Sequence, residues 1–311
     1  MMVNPQISII VPVYNEEKVI PELLRRLVYV LAKLSERYEI LFIDDGSRDS
    51  TGELLYEAAK NNAHLRVLQF SRNFGHQSAV SAGLDHVSGE ATVIIDGDLQ
   101  DPPEVIPMLI EEWSKGYDVV YGVRVRRKEW WGKRLAYFLF YRLLKRIAVG
   151  VDLPLDSGDF ALISRPVIDV IKSMPERNRY VRGLRSWAGF KQVGVSYERD
   201  ARFAGEAKYT FSKLLKLAYD GIFSFSYMPL TLITYFGFAA SFVSFLAIIL
   251  ILYFKLFTSY SLPGFASTAS MILFLGGAQL MALGVIGEYI KRIYDETKQR
   301  PHYIISKKIG F

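Results

Sequence analysis

The sequence predicts an α/β protein built on a mostly parallel sheet, with a two-helix membrane hairpin attached near the C-terminal end. Three observations predict it. Short β-branched runs alternate with helical periods through the first 122 residues. Three of those runs end in polar clusters, where an α/β sheet presents its ligand edge. Beyond Asp220 two long stretches carry no charge at all.

The strand-like runs are ISIIVPV (7–13), EILFIDD (39–45), RVLQFS (66–71), ATVIIDG (91–97) and DVVYG (118–122). Helical segments of roughly 10 to 18 residues separate them, the spacing of βαβ units. Further strands are expected at Asp159–Ser164 and Gln192–Glu198. Proline cannot donate to a sheet ladder, so the first strand is expected to be ending at Pro12.

Gly221 to Phe254 is a run of 34 uncharged residues, and Leu256 to Gly287 a run of 32, with Lys255 alone between them. Each exceeds the ~20 apolar residues that cross a bilayer as a helix. The spans are expected at Leu230–Phe254 and Thr268–Ile290. Lys208, Lys213 and Lys216 precede the first, and Lys291, Arg292, Lys298 and Arg300 follow the second. The positive-inside rule therefore puts both termini in the cytoplasm of a multi-pass protein of the plasma (inner) membrane. The expected division is a catalytic domain at 1–208, a juxtamembrane interface helix at 209–228, the hairpin at 229–292 and a cytoplasmic tail at 293–311.

The start of the chain shows no signal-peptide progression. The absence of cysteine excludes disulfides and thiolate metal sites. A formal charge of +6 suits a protein lying on anionic lipid. No nucleic-acid-binding signature is present, so no nucleic acid partner is expected. Arg126–Val149 interleaves aromatic with basic residues, the composition of a helix at lipid headgroups; a helix packed on the sheet is the alternative.

The chemistry concentrates in Thr92–Glu104, TVIIDGDLQDPPE. Asp96 and Asp98 stand at the end of a buried strand with Gly97 between them, a glycine expected to let the backbone turn so that both carboxylates face one cavity. Two hard oxygen ligands suit Mg²⁺ or Mn²⁺, with phosphate oxygens and water completing the shell. The first strand leads into Tyr14-Asn15-Glu16-Glu17 and the second into Asp44-Asp45-Gly46-Ser47, so a nucleotide is expected along that edge. Neither G-x-G-x-x-G after the first strand nor a Walker A lysine is present, which argues against dinucleotide and P-loop chemistry.

The ordered series PVYNE (12–16), DDGS (44–47), DGDLQDPPE (96–104), SGDF (157–160) and RFAGEAKY (202–209), followed by two spans, resembles the family 2 inverting glycosyltransferases that act on polyisoprenyl phosphate. It is most similar to the bactoprenol glucosyltransferases, and more distantly to dolichyl-phosphate mannose synthase. The resemblance implies a GT-A fold, Rossmann-like in character, and residue roles. Pro12, Tyr14, Asn15, Glu16, Asp44 and Asp45 would border the nucleoside, with Asp96 beside the diphosphate. Asp96, Asp98 and Gln100 would hold the metal. Arg124 and Arg134 would take the lipid phosphate, and Arg202 and Lys208 would reach back to the diphosphate and acceptor.

Asp159 is the residue the resemblance offers as general base. The physical argument differs in part: a phosphate monoester has a second pKa near 6, so the acceptor is largely dianionic at neutral pH and needs no proton removed. Asp159 then orients an arginine or a sugar hydroxyl instead. His76, in an Asn-Phe-Gly-His turn, is read as a helix cap or donor contact rather than a base.

The implied reaction is transfer of a hexose, glucose from UDP-glucose, onto undecaprenyl phosphate at the cytoplasmic membrane face, with inversion. Family analogy adds a homotetramer. Two alternatives stand beside it. One is a processive polysaccharide synthase, against which Arg182-Gly-Leu-Arg185-Ser-Trp187 is a near miss of the Q-x-x-R-W acceptor motif. The other is a nucleotide-sugar-binding membrane protein without catalysis.

Overall fold

The computed structural model describes residues 6–34, 37–124, 157–176, 179–200, 228–257 and 264–311. The expected interface helix at 126–149, and Arg134, Arg202 and Lys208, lie outside them.

The chain divides into two compact units. The first comprises Met1–Lys145, Gly150–Tyr209 and Arg300–Phe311, and the second is Arg146–Val149 with Thr210–Gln299. The elements of the first unit begin with β1 (Ile7–Val13), α1 (Ile20–Leu34), β2 (Tyr38–Asp44), α2 (Thr51–Asn61), β3 (Leu65–Phe70), α3 (His76–His86) and β4 (Ala91–Ile94). After a 3₁₀ turn at Pro103–Val105 come α4 (Ile106–Ser114), β5 (Val119–Arg124), β6 (Ser157–Ser164), α5 (Arg165–Ser173), α6 (Val181–Trp187) and β7 (Gln192–Tyr197). The second unit carries α7 (Met228–Phe257) and α8 (Phe265–Thr297), and β8 (Ile305–Ile309) returns to the first.

Eight strands form one sheet in the order β7-β5-β6-β4-β1-β2-β3-β8. β1 pairs in parallel with β2 on one side and β4 on the other, so the strand order reverses at β1 and β4. That reversal opens the crevice in which doubly wound sheets bind ligands. β1 and β2 are buried along their whole length, as strands covered on both faces must be. Ile9, Val11, Phe42 and Val93 pack under α1, α2 and α4, while Ile10, Leu41, Ile43 and Ile94 pack under α3, α5 and α6. α1 faces the sheet through Ile20, Leu23, Leu27, Val30 and Leu31, an i, i+3, i+7 stripe.

Pro12 sits one residue before the end of β1 and pairs with Ile43 of β2. On the other side the β4 register stops at Ile10 and Ile94, so the missing N–H costs the ladder nothing. Within the expected tail, β8 hydrogen-bonds antiparallel to β3, and Tyr303 stacks on Phe70 and donates to Asp85 at 2.8 Å. Its sequence, ISKKI, hides the strand because both lysines lie on an exposed edge, where charge discourages further pairing.

α7 and α8 are longer than the expected spans. Met228–Phe254 has a mean hydropathy of 2.4 and Ser270–Thr297 of 1.8, and neither apolar window is buried by protein. Such faces need a non-aqueous cover, which fits a membrane better than the core of a soluble fold.

Candidate active site

The register of the sheet assembles the site. Ile94 of β4 lies opposite Ala161 of the antiparallel β6. Asp96 comes two residues after Ile94 and Asp159 two residues before Ala161, so the two are brought to the same edge from opposite chain directions. Gly97 is required by a close approach rather than by its φ: a Cβ there would meet Val13 Cγ1 at 2.7 Å and the Pro12 carbonyl oxygen at 3.1 Å. The left-handed residue of this turn is Leu99, with φ 58°. It lets Asp98 Oδ1 accept the Gln100 N–H at 3.1 Å.

His76 opens α3 and reaches into this edge. Its Nε2 is 3.2 Å from Asp159 Oδ2 and 3.7 Å from Asp96 Oδ1. Burial acts to lower its pKa, but the Asp159 hydrogen bond and the charges of Asp96 and Asp159 outweigh it, raising the imidazole to about 9. For Asp159, burial acts to raise the pKa. The His76 bond and charge, with Arg182 and Arg185 of α6, prevail and hold it at about 2. Burial pushes Asp96 up to about 6; His76 opposes this, and Asp159, Asp101 and Asp98 add to it. Of the two readings of His76, the side-chain cap is not found: Gly75 is the N-cap residue of α3, with no side-chain cap hydrogen bond.

Asp45 fixes the loop that delivers His76. Its two oxygens accept the N–H groups of Phe74 at 2.7 Å and Gly75 at 2.9 Å. Asp44 is fully buried, accepting Ser47 N–H at 2.9 Å and Gln69 Nε2 at 3.1 Å. Asn15 stitches two turns together: its N–H donates to Ser47 Oγ at 2.9 Å, and its Oδ1 accepts Arg48 N–H at 2.8 Å. Glu16 N–H donates to Thr51 Oγ1 at 2.9 Å. Asn15, Asp44 and Asp45 therefore hold the shape of this edge through bonds within the protein, while Tyr14 and Glu16 are partly exposed on it.

Arg124 closes the other side. Its Nε donates to the Tyr197 hydroxyl at 3.4 Å, and Tyr197 donates to the fully buried Asp101 at 2.5 Å. Arg124 Nη2 stands 3.6 Å from Asp101 Oδ2, and Arg199 Nε 3.3 Å from Oδ1. The last acid of D-G-D-L-Q-D thus anchors an arginine beside the site. Glu104 in the same stretch holds the turn to α1 through Arg26 Nε at 2.9 Å. Sequence reasoning missed Asp101, Tyr197 and Gln77, whose hydrogen-bond partners are 73 to 104 residues away in the chain.

Among the described residues no group of three His, Cys, Asp or Glu side chains forms a complete metal site. Asp96 and Asp98 are a two-oxygen set of the kind a Mg²⁺ or Mn²⁺ shares with a diphosphate. Burial first, and then the charges of Asp159, Asp101 and Asp98, raise the Asp96 pKa, so a bound cation would favour its ionised form. The residues fit such an ion.

Residues 8–171 match the family model described as Glycosyl transferase family 2. The chain belongs to glycosyl transferase family 2. It is 50% identical over 306 residues to "Uncharacterized glycosyltransferase YkcC" of Bacillus subtilis (strain 168), covering 98% of this chain and 94% of that one. It is 43% identical over 303 residues to "Bactoprenol glucosyl transferase" of Shigella phage SfII, covering 97% and 98%. Among solved structures, a glucosyl-3-phosphoglycerate synthase from Mycobacterium tuberculosis, in complex with phosphoglyceric acid, aligns with a TM-score of 0.51 at 22% identity. That alignment covers 71% of this chain and 79% of that one. At this identity the likeness carries the fold, GT-A, and the family 2 chain is a glycosyltransferase.

Proposed function

We propose that this protein transfers a hexose, glucose from UDP-glucose, onto undecaprenyl phosphate at the cytoplasmic face of the plasma membrane, inverting the anomeric carbon. The observation that carries the reading is the register that brings Asp96 and Asp159 to one edge at the switch of the sheet, where His76 of α3 faces both. Two uncovered apolar helices in the same chain support a lipid acceptor. Full-length relatives at 42–43% identity bear the name bactoprenol glucosyl transferase, which supports the same acceptor and sugar.

Asp96, Asp98 and Gln100 would hold the divalent ion, which supplies charge neutralisation for the departing diphosphate. Tyr14, Pro12 and Glu16 border the nucleoside, on a rim braced by Asn15, Asp44 and Asp45. Arg124, steadied by Asp101 and Tyr197, would draw the lipid phosphate, with Arg134, Arg202 and Lys208 adding positive charge. Arginine suits this because its planar fork matches phosphate oxygens. The acceptor phosphate attacks the anomeric carbon opposite UDP: its oxygen forms the new C–O bond as the bond to the diphosphate breaks. No proton need leave a dianionic phosphate, and Asp159, held near pKa 2, is a weak proton acceptor.

β8 is paired with β3 and follows α8 by a short link, which supports an even number of crossings. The basic residues flanking the two spans support the cytoplasmic side for both ends.

The test incubates purified protein with undecaprenyl phosphate, a panel of UDP- and GDP-sugars and Mn²⁺ or Mg²⁺, and identifies the lipid product by mass. Glucosyl-phospho-undecaprenol, formed from UDP-glucose and lost with EDTA or in Asp98→Asn, is the expected result. A product carrying another sugar would replace glucose, and no lipid product from any donor would reject the reading.

A further inference from the structure

Gln77 is the second residue of α3, and both ends of its carboxamide are in use. Oε1 accepts the backbone N–H of Val181, the first residue of α6, at 2.9 Å. Nε2 donates to Asp159 Oδ2 at 3.3 Å, the same oxygen that faces His76 Nε2 at 3.2 Å. The two bonds fix the amide's orientation. A backbone N–H requires the carbonyl oxygen, and an ionised carboxylate requires the nitrogen.

A second observation concerns what lies behind Asp159. Arg185 of α6 is 1% exposed, and its Nε and Nη2 find no hydrogen-bond acceptor among the described residues. Its ring neighbour is Tyr121 at 5.6 Å, and Asp159 is the leading attractive charge on it. A buried guanidinium is costly without a fixed counter-charge. The carboxylate must therefore hold its position toward α6 as well as toward His76, and Gln77 is the group that touches both.

We propose that Gln77 is a positioning residue of the transfer reaction: one end of its amide seats α6, and the other holds Asp159 between His76 and Arg185. The role rests on the glycosyl-transfer reading above. It also explains why no other side chain of this length serves. Methionine has the shape without the bonds, asparagine is one methylene short, and glutamate sets a second carboxylate against the first.

Glutamate is the informative replacement, because when protonated it reproduces glutamine: its O–H can donate to Asp159 while its carbonyl accepts from Val181. The charged or titratable groups facing the position are His76 on α3, Asp159 on β6, and Tyr180, Arg182 and Arg185 at α6. Asp96 and Asp45 stand beyond His76 on the loops after β4 and β2.

The full-length protein in detergent, as wild type, Gln77→Glu and Gln77→Met, is compared in two ways between pH 5 and pH 8.5. Melting temperature is measured without substrate, and kcat and KM with UDP-glucose and undecaprenyl phosphate. Gln77→Glu is expected to lose on the order of tenfold or more in kcat at pH 8, with KM for the donor little changed. Its melting temperature should also fall, and both deficits should narrow toward pH 5. Gln77→Met should show a kcat deficit that does not depend on pH. A Gln77→Glu protein equal to wild type at pH 8, or one whose deficit ignores pH, overturns the proposal. So does a melting deficit with normal kcat, since that marks a structural role only. If Gln77→Glu fails to fold, Gln77→Met decides alone: normal kcat overturns the proposal and a kcat loss at constant KM supports it. Should the wild type make no glycosyl lipid from any donor, the functional reading fails, and the melting arm still decides whether Gln77 holds Asp159.

Discussion

His76 Nε2 lies 3.2 Å from Asp159 Oδ2, closer than its 3.7 Å approach to Asp96 Oδ1. The contact decides what Asp159 can do. A carboxylate held near pKa 2 by an adjacent imidazolium and two arginines would take a proton from a phosphate monoanion, pKa about 6, only against a large free-energy gradient. That favours the proposed role of Asp159 as a fixed negative charge over that of a base.

The consequence is testable in Asp159→Asn. If Asp159 holds His76 and the arginines, the mutant should keep residual turnover whose pH profile follows the second ionisation of the acceptor, rising through about pH 6. kcat/KM for the lipid phosphate is measured from pH 5 to 9. A mutant without activity even well above the phosphate pKa would restore Asp159 as an essential catalytic base.

The imidazole itself should titrate high. His76 is raised from 6.5 to about 9, so the stability it contributes is fully present below pH 6.5 and is lost as pH rises through about 9. Asp159 is depressed from 3.8, and its contribution is lost only as pH falls toward 2. In the metal-free, donor-free protein, NMR titration of His76 should give a midpoint near 9, and Asp159→Asn should bring it down. A midpoint at the ordinary histidine value in the wild type would break the pairing.

Much of this was legible in the sequence, and the exceptions have a physical pattern. The strand at 7–13 was readable because a continuous apolar run reports burial locally, and the one at 192–197 because Val193, Val195 and Tyr197 alternate with polar or small residues. The place of Asp96 and Asp98 just after β4 was also readable, from a strand followed by D-G-D. β8 was not legible: a charged edge strand buries too little to leave a hydrophobic signature. Asp44 read as a ligand contact because sequence shows an acid after a strand, but not that Gln69 and Ser47 already occupy its oxygens. Gln77 and Asp101 were invisible for the same reason. Their meaning lies in partners that only the register of the sheet brings near.

Membrane topology gives a third prediction. Single cysteines in this cysteine-free chain at Ser261, between the spans, and at Ser306, in β8, should label differently in intact cells. A membrane-impermeant maleimide should react with the first alone. Equal labelling of both would reject the hairpin with cytoplasmic ends.

Gly158 provides the sharpest separation of function from stability. A Cβ at this position would stand 2.7 Å from Arg124 Nη2, the tip of a flexible side chain, and its φ lies outside the left-handed region. Gly158→Ala should therefore fold. The lower chain entropy of alanine favours the native state by about 0.4–1 kcal/mol, offsetting part of what is lost when the guanidinium swings away from Asp101. Melting temperature should stay close to wild type. If Arg124 meets the lipid phosphate from its Asp101 and Tyr197 support, the displaced arginine should lower kcat/KM for undecaprenyl phosphate on the order of tenfold while KM for UDP-glucose is unmoved. Arg124→Ala should show the same split, and adding Gly158→Ala to it should cost little more, because both act on one side chain. If Gly158→Ala instead raises KM for the nucleotide sugar, Arg124 serves the donor and its assignment to the acceptor phosphate is wrong.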